Sequence, residues 1–473
     1  MSHSDPATPQ DRAQLQRAVL IVVLTTYMMI ILDTSIVITG LPEIGAGLGF
    51  SPTGLSWVQN AYTLAFGGFM LLGARAGDIL GRRRVYLAGL VLFALASLVI
   101  GLAPNPATLL AARIVQGAGA AVLAPTTLSL QALHFAEGPE RNRAFAQYAA
   151  AAGVGSSLGL VLGGIFAGWM SWRVGFLVNA PVAALLYIAA RRLLADDRGN
   201  GGGLDLIGAL ISTLGMGGLV YGIVRSAEVG WRDGVTVVSI VAGLGLIAAF
   251  LITQARAAQP LLPLHLFADR IRIGAYLARA LFLGAMVSFF FFSTQLMQAA
   301  LHMTPVAAGL GFLPMTVLTL AASLTLPRLV SRFGNGAVVM LAFAFIAAGL
   351  LWLAQAGPDD RYMLAVGLPM LLVGIGNGLG LGPLTALAMQ RIAAKDAGAA
   401  AGVVNVAHQL GGTVGLAILV TVFAAAMRAA PVAVNALQHG VTAGLHGAAL
   451  LAVGGMIACA ILIIPANRRG HLW

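Results

Sequence analysis

The stretch Ala18–Leu41 reads AVLIVVLTTYMMIILDTSIVITGL, with a single ionisable acid or base, Asp33, in an otherwise apolar run. About 20 apolar residues cross the hydrocarbon core of a bilayer as one helix, so this run predicts a transmembrane span. A carboxylate inside such a span is costly to hold in lipid, and by default marks an ion, proton or substrate route. The other fifteen acids fall in tails, in loops or near predicted helix ends. Asp33 is therefore the first candidate for a proton site.

The rest of the chain repeats the pattern. Hydrophobic residues make up 59% of the 473 and charged residues 9%, against about 25% charged in a soluble domain. Mean hydropathy is +0.91. Fourteen apolar runs qualify as candidate spans: 18–41, 54–74, 85–103, 107–132, 144–168, 174–193, 205–224, 234–254, 273–298, 304–327, 336–356, 362–388, 400–427 and 441–465. Sixty glycines suit helix packing in lipid, where small residues let backbones approach. The lone Cys459 rules out a disulfide framework or a cysteine metal site. Residues 1–16 are polar and the first apolar run is too long for a signal-peptide core, so no cleavable signal is expected.

A net charge of +11 raises the question of nucleic acid, and its distribution answers it. With the N-terminus in the cytoplasm, twenty of the 27 basic residues fall on the cytoplasmic side and five outside. Arg113 and Arg279 lie within spans. That alternation is the positive-inside rule; it predicts an even number of spans with both termini cytoplasmic, and no nucleic-acid partner.

A faint internal repeat organises the spans. Arg75, Asp78 and Gly81 form R-x-x-D-x-x-G; Arg328, Ser331 and Gly334 form R-x-x-S-x-x-G, offset by 253 residues. Leu162-Gly163-Gly164 recurs as Leu410-Gly411-Gly412, offset by 248. Two six-helix halves in parallel follow, an arrangement that places substrate between them near the midplane. The expected layout is an N-terminal tail (1–17), a six-helix bundle (18–193), a linker (194–204), an inserted helix pair (205–254), a second linker (255–272), a second six-helix bundle (273–465) and a C-terminal tail (466–473).

The segment Gly73-Ala-Arg-Ala-Gly77-Asp78-Ile-Leu-Gly81-Arg82-Arg83-Arg84 resembles the signature loop of the major facilitator superfamily. The chain is similar in particular to the fourteen-span drug:proton antiporters of QacA/EmrB type. Leu32-Asp33-Thr34-Ser35-Ile36-Val37, closing at Leu41-Pro42, resembles their first-helix motif, and Arg113-Ile-Val-Gln116-Gly117 their fourth-helix motif. Trp172-Arg173 with Phe176, Asn179 and Pro181 is similar to their signature between helices five and six. Asn405, Gln409, Gly411, Gly412 and Gly415 resemble the thirteenth-helix pattern. The resemblance covers nearly the whole chain, with the motifs in order. It implies an all-α membrane protein of major facilitator fold in the inner membrane of a bacterium, acting as a monomer on small drug-like molecules, with protons and no cofactor as the energy source.

The residues carry their own reading beside it. Asp33 lies eight residues before Leu41 and Arg113 six after Ala107, roughly 12 and 9 Å from one face at the helical rise. At a shared depth the two can pair if helices one and four adjoin, as the resemblance implies. Burial raises a carboxylate's pKa and a nearby arginine lowers it, so a changing distance loads and releases a proton; a static pair fastening two helices is the plainer alternative. In the loop, Gly73, Gly77 and Gly81 permit a tight turn, and Asp78 is placed to cap a helix or meet arginines. In the family this loop resembles a latch broken on opening to the inside; the plainer reading of Arg82, Arg83 and Arg84 is topology alone.

Gly155, Gly159, Gly163 and Gly164 form a small-residue face on helix five. It resembles the antiporter motif, except that Leu160 stands where a proline is usual. Arg279 sits about 9 Å into its span and is expected to snorkel to the cytoplasmic face; His408 is expected to be a hydrogen-bonded packing residue. Trp57, Tyr62, Phe289–Phe292 (notably Phe292), Gln295 and Asn405 are candidates for an aromatic pocket, whose ring faces attract organic cations, although lipid-facing phenylalanines give the same pattern.

Absences narrow the mechanism. The single lysine, Lys395, follows alanine, so no G-x-x-x-x-G-K-[ST] loop exists. HExxH does not occur, and the G-x-S-x-G match at Gly155–Gly159 lies inside a predicted helical span and not at the strand-to-helix turn that a nucleophile elbow needs, so no enzyme is expected. The expectation is a proton-driven exporter of hydrophobic, often cationic toxic compounds. A dedicated exporter of one endogenous product, such as an antibiotic or siderophore, is the alternative, and a lipid-handling membrane protein a more distant one.

Overall fold

In a bilayer every backbone polar group must be paired internally, which leaves helices and closed barrels. The computed structural model describes residues 9–464 apart from 136–138, 196–204, 258–259, 261, 263, 358–359, 391, 393–396 and 431–435. The described residues form helices and no strand. The first group comprises α1 (Pro9–Leu48), α2 (Ser56–Leu80), α3 (Arg82–Gly101), α4 (Pro106–His134), α5 (Pro139–Ile165), the short α6 (Trp172–Leu177) and α7 (Asn179–Leu193). A hairpin follows, α8 (Leu206–Val229) and α9 (Gly234–Arg256). The last group comprises α10 (Arg270–Gln295), α11 (Pro305–Gly311), α12 (Leu313–Leu353), α13 (Leu368–Ala388), α14 (Ala397–Ala429) and α15 (Ala436–Ala458).

Among the described residues, eleven stretches are long and apolar enough to cross a membrane. One of them, Pro305–Leu353, takes in two predicted runs, 304–327 and 336–356, and breaks its helical geometry at Gly334. The predicted runs 54–74 and 144–168 form α2 and α5, outside those eleven.

Gly334 gives the internal repeat a physical meaning. Its φ is +77, and Gly81, 253 residues earlier, has φ +97. Both turn the chain sharply between consecutive helices in a conformation that L side chains rarely adopt, at a cost of about 1–3 kcal/mol for a non-glycine residue. Gly81→Ala and Gly334→Ala are each expected to lower the thermal midpoint of the purified protein. Gly245→Ala, whose added methyl meets open space, leaves it unchanged.

Buried apolar side chains are distributed asymmetrically. Where α1 ends, Val37, Leu41 and Ile44 belong to one continuous core that also holds Phe289, Phe312 and Phe343 of the last group. Toward the start of α1, Val19, Val23 and Ile30 belong to a separate core of the first group, with Tyr86, Phe93 and Leu186. The two groups are thus sealed together at one end. There Gly164 meets the carbonyl of Pro305, Gly309 that of Leu160, and Gln298 Nε2 donates to the Thr39 carbonyl at 2.8 Å. The alternating glycines of α13 are used for packing on two sides: Gly374 and Gly378 lie against Met315 and Thr319, Gly376 and Gly380 against Ala342 and Phe282.

The α8–α9 hairpin lies against α2 and α14, with Gly68 under Thr213 and Val220 and Val224 packed around Ala417. Each of its helices starts on an aspartate: Asp205 accepts from the Gly208 amide and Asp233 from the Thr236 amide. The Arg225 side chain and the Thr236 amide, both donating to Asp233, bring its pKa down to about 2. A depressed carboxylate stabilises the fold above its unfolded value and loses that contribution only as pH falls through the folded one, so this contact keeps its contribution across physiological pH.

Candidate functional site: a buried ion pair beside a central cavity

Asp33 and Arg113 meet. Arg113 Nη1 donates to Asp33 Oδ2 at 2.8 Å, with side chains 0% and 1% exposed. Three helices complete the shell. Gln116 Nε2 of α4 and Asn179 Nδ2 of α7 donate to Asp33 Oδ1 at 2.9 and 2.7 Å, and Gln116 Nε2 also reaches Ser97 Oγ of α3 at 2.8 Å. Arg113 Nη1 further donates to Gln116 Oε1 at 2.6 Å, and Nε to the Val58 carbonyl at 2.9 Å. Its guanidinium carbon lies 4.2 Å from the centroid of the Tyr62 ring, a cation–π distance. Arg113 Nη2 has no hydrogen-bond partner.

Local sequence explains the convergence. Asn105 caps α4 by accepting from the Thr108 amide, and Pro106 fills the first turn, so the register of Arg113 is set seven residues in. Gly117 lets α4 approach α2: a methyl there meets the Tyr62 carbonyl and the Ala65 side chain, which is what allows Arg113 to reach Val58. Arg173 donates to the Ala103 carbonyl at 2.8 Å and stacks on Trp172 at 4.3 Å. That pins the α6–α7 segment against α3 and brings Asn179, the first residue of α7, beneath Asp33. Asn179 and Gln116 stand in the sequence motifs quoted above, but their donation to Asp33 and the part of Ser97 were not foreseen; a buried polar residue on each of three helices is the only signal for them.

A cavity of about 580 Å³ lies between the two groups of helices. Along α1 its lining runs from Tyr27 through Ile31 and Thr34 to Leu41, about 21 Å at the helical rise. Tyr62, Gln59 and Phe66 of α2 line it on one side, Phe282, Phe290 and Phe291 of α10 on another, with Asn377 of α13 and His408 and Gln409 of α14. Among the described residues no aspartate or glutamate lines it. Asp33 faces away from it, into the first group, while its neighbours Thr34 and Ser35 face in. Tyr62 belongs to both, its ring covering Arg113 and lining the cavity.

Residues 23–416 match the profile of the Major Facilitator Superfamily. The chain belongs to that superfamily. It is 39% identical over 458 residues to a cephamycin export protein of Amycolatopsis lactamdurans, covering 95% of this chain and 93% of the relative. To a puromycin resistance protein of Streptomyces alboniger it is 38% identical, covering 94% and 90%. A solved peptide transporter in complex with sulfate shares the fold, with a TM-score of 0.70 at 15% identity over 97% of this chain and 95% of that one. The protein is therefore a multi-pass membrane protein of a transporter superfamily, not an enzyme.

In this facilitator the glycines of α5 form the seat of α1. Gly155 lies against Met28, Gly159 against Leu32 and Ser35, and Gly163 against Ile36 and Thr39, while Gly164 faces Pro305. The face therefore flanks the turn of α1 that carries Asp33. At Leu160 the helix runs unbroken, and the Leu160 carbonyl accepts from Thr39 Oγ1 at 3.2 Å. In the 73–84 segment, Gly73 meets the Ala121 carbonyl of α4, a methyl added at Gly77 would lie 3.8 Å from Arg82 and Thr126, and Gly81 makes the turn. Arg83 Nη2 donates to the Arg191 carbonyl at 2.8 Å, in the last turn of α7. The side chain of Asp78 lies outside the described residues.

The pocket candidates scatter. Tyr62 lines the cavity. Trp57 instead packs 6.1 Å from Tyr221 of the hairpin, on a smaller cavity of about 270 Å³ with Arg225 and Glu228. Phe292 is fully buried against Phe423 and Gly444. Gln295, 8% exposed, ends α10, and neither it nor Asn405 lines the cavity. The phenylalanines that do line it from the predicted run are Phe290 and Phe291, one helical face away, since the face of a short apolar run is invisible without its neighbours. Arg279 does not snorkel: it is 7% exposed and tied to α13 and α14.

Proposed function

We propose that the protein exports amphipathic, antibiotic-like small molecules across a bacterial cytoplasmic membrane in exchange for protons, by alternating access. In this reading the chain has fourteen spans, the Pro305–Leu353 stretch counting as two and α2 and α5 as two more, with both termini cytoplasmic. The observation that carries the proposal is the fully buried Asp33–Arg113 pair one side chain, Tyr62, away from a cavity built by both halves. Compounds named for the relatives above supply the cargo class. The sealed end where α1 finishes is then the outer one, and this form is closed to the outside.

Asp33 and Arg113 neutralise each other in this form. Protonation of Asp33 leaves a buried guanidinium without its counter-charge, a loss of about 3–5 kcal/mol where one partner of a buried pair is removed. The cost is relieved only if Arg113 moves or gains another partner, so proton binding and helix movement are linked. The α5 glycine face is the surface on which α1 slides, and Tyr62 carries the change to the cavity wall. Cargo therefore acts on the proton through α1 and α2 without touching the carboxylate.

The energy suffices. A proton entering across about 100 mV releases about 2.3 kcal/mol, and each pH unit adds about 1.36; together they support roughly several hundredfold accumulation of a neutral solute. Dye efflux in everted vesicles tests the reading. Accumulation driven by respiration is expected to collapse on adding a protonophore and to be indifferent to ATP; movement indifferent to the protonophore contradicts it. Phe290→Ala enlarges the cavity wall and is expected to change KM severalfold among dyes of different size while leaving proton coupling in place. A dedicated exporter of one product is the second reading, favoured by the relative named for cephamycin alone; growth protection against a single compound in a broad panel marks it out.

A further inference from the structure

Arg279 is the buried cation that the proton pathway does not use. All its polar contacts are neutral: Nη1 donates to Thr385 Oγ1 of α13 at 2.7 Å, Nη2 contacts His408 Nδ1 of α14 at 3.2 Å, and Nε has no partner. No carboxylate pairs with it among the described residues. A guanidinium only donates, so Nδ1 of His408 accepts; the imidazole is then neutral, with its proton on Nε2. His408 lines the central cavity. Arg279 also stands on the lining face of α10, one turn before Phe282 and Leu283 and two before Met286 and Val287, which all line it. Arg279 itself does not line the cavity: at this end the wall, free of described acids, carries the imidazole, with the uncompensated guanidinium directly behind it. A buried charge is costly to leave unpaired.

We propose that this end of the cavity is an anion subsite. The cargo it takes is an amphipathic organic carboxylate, its charged group accepting from the Nε2–H of His408, with the Arg279 charge acting from behind the ring on the Nδ1 side, and its apolar body lying along Phe282, Phe290 and Phe291. The inference rests on the export reading for the word cargo, and it reverses the expectation that organic cations are preferred.

The test uses two xanthene dyes that differ only in carrying a free carboxylate or its ethyl ester. Binding of each to the purified full-length protein in neutral detergent is followed by fluorescence anisotropy. The wild type is expected to bind the acid about tenfold or more tightly than the ester, the scale of a hydrogen bond to a charged group. Arg279→Met abolishes that preference and leaves ester affinity unchanged, which also shows that the variant is folded; Arg279→Lys keeps part of it. His408→Phe reduces it while Arg279 is still present. An acid-to-ester ratio equal in wild type and Arg279→Met overturns the subsite, as does failure of the acid to bind at all. Transport is read separately in everted vesicles: acid binding without dye export retains the subsite and removes the export reading, whereas export with no acid preference removes the subsite alone.

Discussion

Replacing both members of the buried pair, Asp33→Asn with Arg113→Gln, is expected to abolish drug-driven proton movement while leaving a folded protein in the membrane. The double substitution matters. Asp33→Asn alone keeps an acceptor for Gln116 and Asn179 but strands the Arg113 charge, which has 0% exposure, so loss of coupling there is confounded with loss of folding. The amide pair removes both charges, and replacing a buried ion pair by neutral groups is often tolerated. In everted vesicles, addition of a transported dye alkalinises the lumen of wild-type vesicles; in the double variant that signal is expected to be absent, and uphill efflux with it. Downhill dye movement can persist. Coupling that survives in the double variant removes Asp33 from the mechanism.

Arg113→Ala is expected to be among the most destabilising single changes in the first helical group. It removes the counter-charge of Asp33, the donor to Val58 and the cation over Tyr62 together, and breaking a buried pair costs about 3–5 kcal/mol. Asp33 then has only the amides of Gln116 and Asn179. The measurement is the fraction of protein that survives heating in detergent as a monodisperse species. A drop of many degrees is predicted for Arg113→Ala, with recovery when Asp33→Asn is added, because the second change removes the stranded carboxylate. Equal stability of Arg113→Ala and wild type contradicts an energetic role for the pair.

The legibility of these features follows from their physics. Asp33 stands out because one carboxylate in a long apolar run has few innocent explanations, and its depth together with that of Arg113 follows from the helical rise alone. The turn glycines were visible as a repeat at one offset, and their shared positive φ explains why glycine is needed at 81 and at 334. What the sequence hides is direction around a helix. In runs apolar on every side no periodicity marks the face turned to the cavity, so Phe290 and Phe291 were not separable from Phe292, nor Tyr62 from Trp57. The amide shell of Gln116 and Asn179 is hidden for another reason: its members come from helices distant in the chain, and only tertiary packing brings them to one carboxylate. Arg279 misled because six residues of depth is within snorkelling reach, whereas two neighbouring helices capture it first.

Infrared difference spectroscopy on the purified protein, recorded as cargo is added, tests the proton claim most directly. With the protein first equilibrated at acidic pH, so that Asp33 starts protonated and out of the ion pair, the account predicts loss of a protonated carboxyl band and gain of carboxylate bands on cargo binding, in the wild type and not in the Asp33→Asn, Arg113→Gln variant. An unchanged carboxyl region in the wild type, or the same change in the variant, contradicts it.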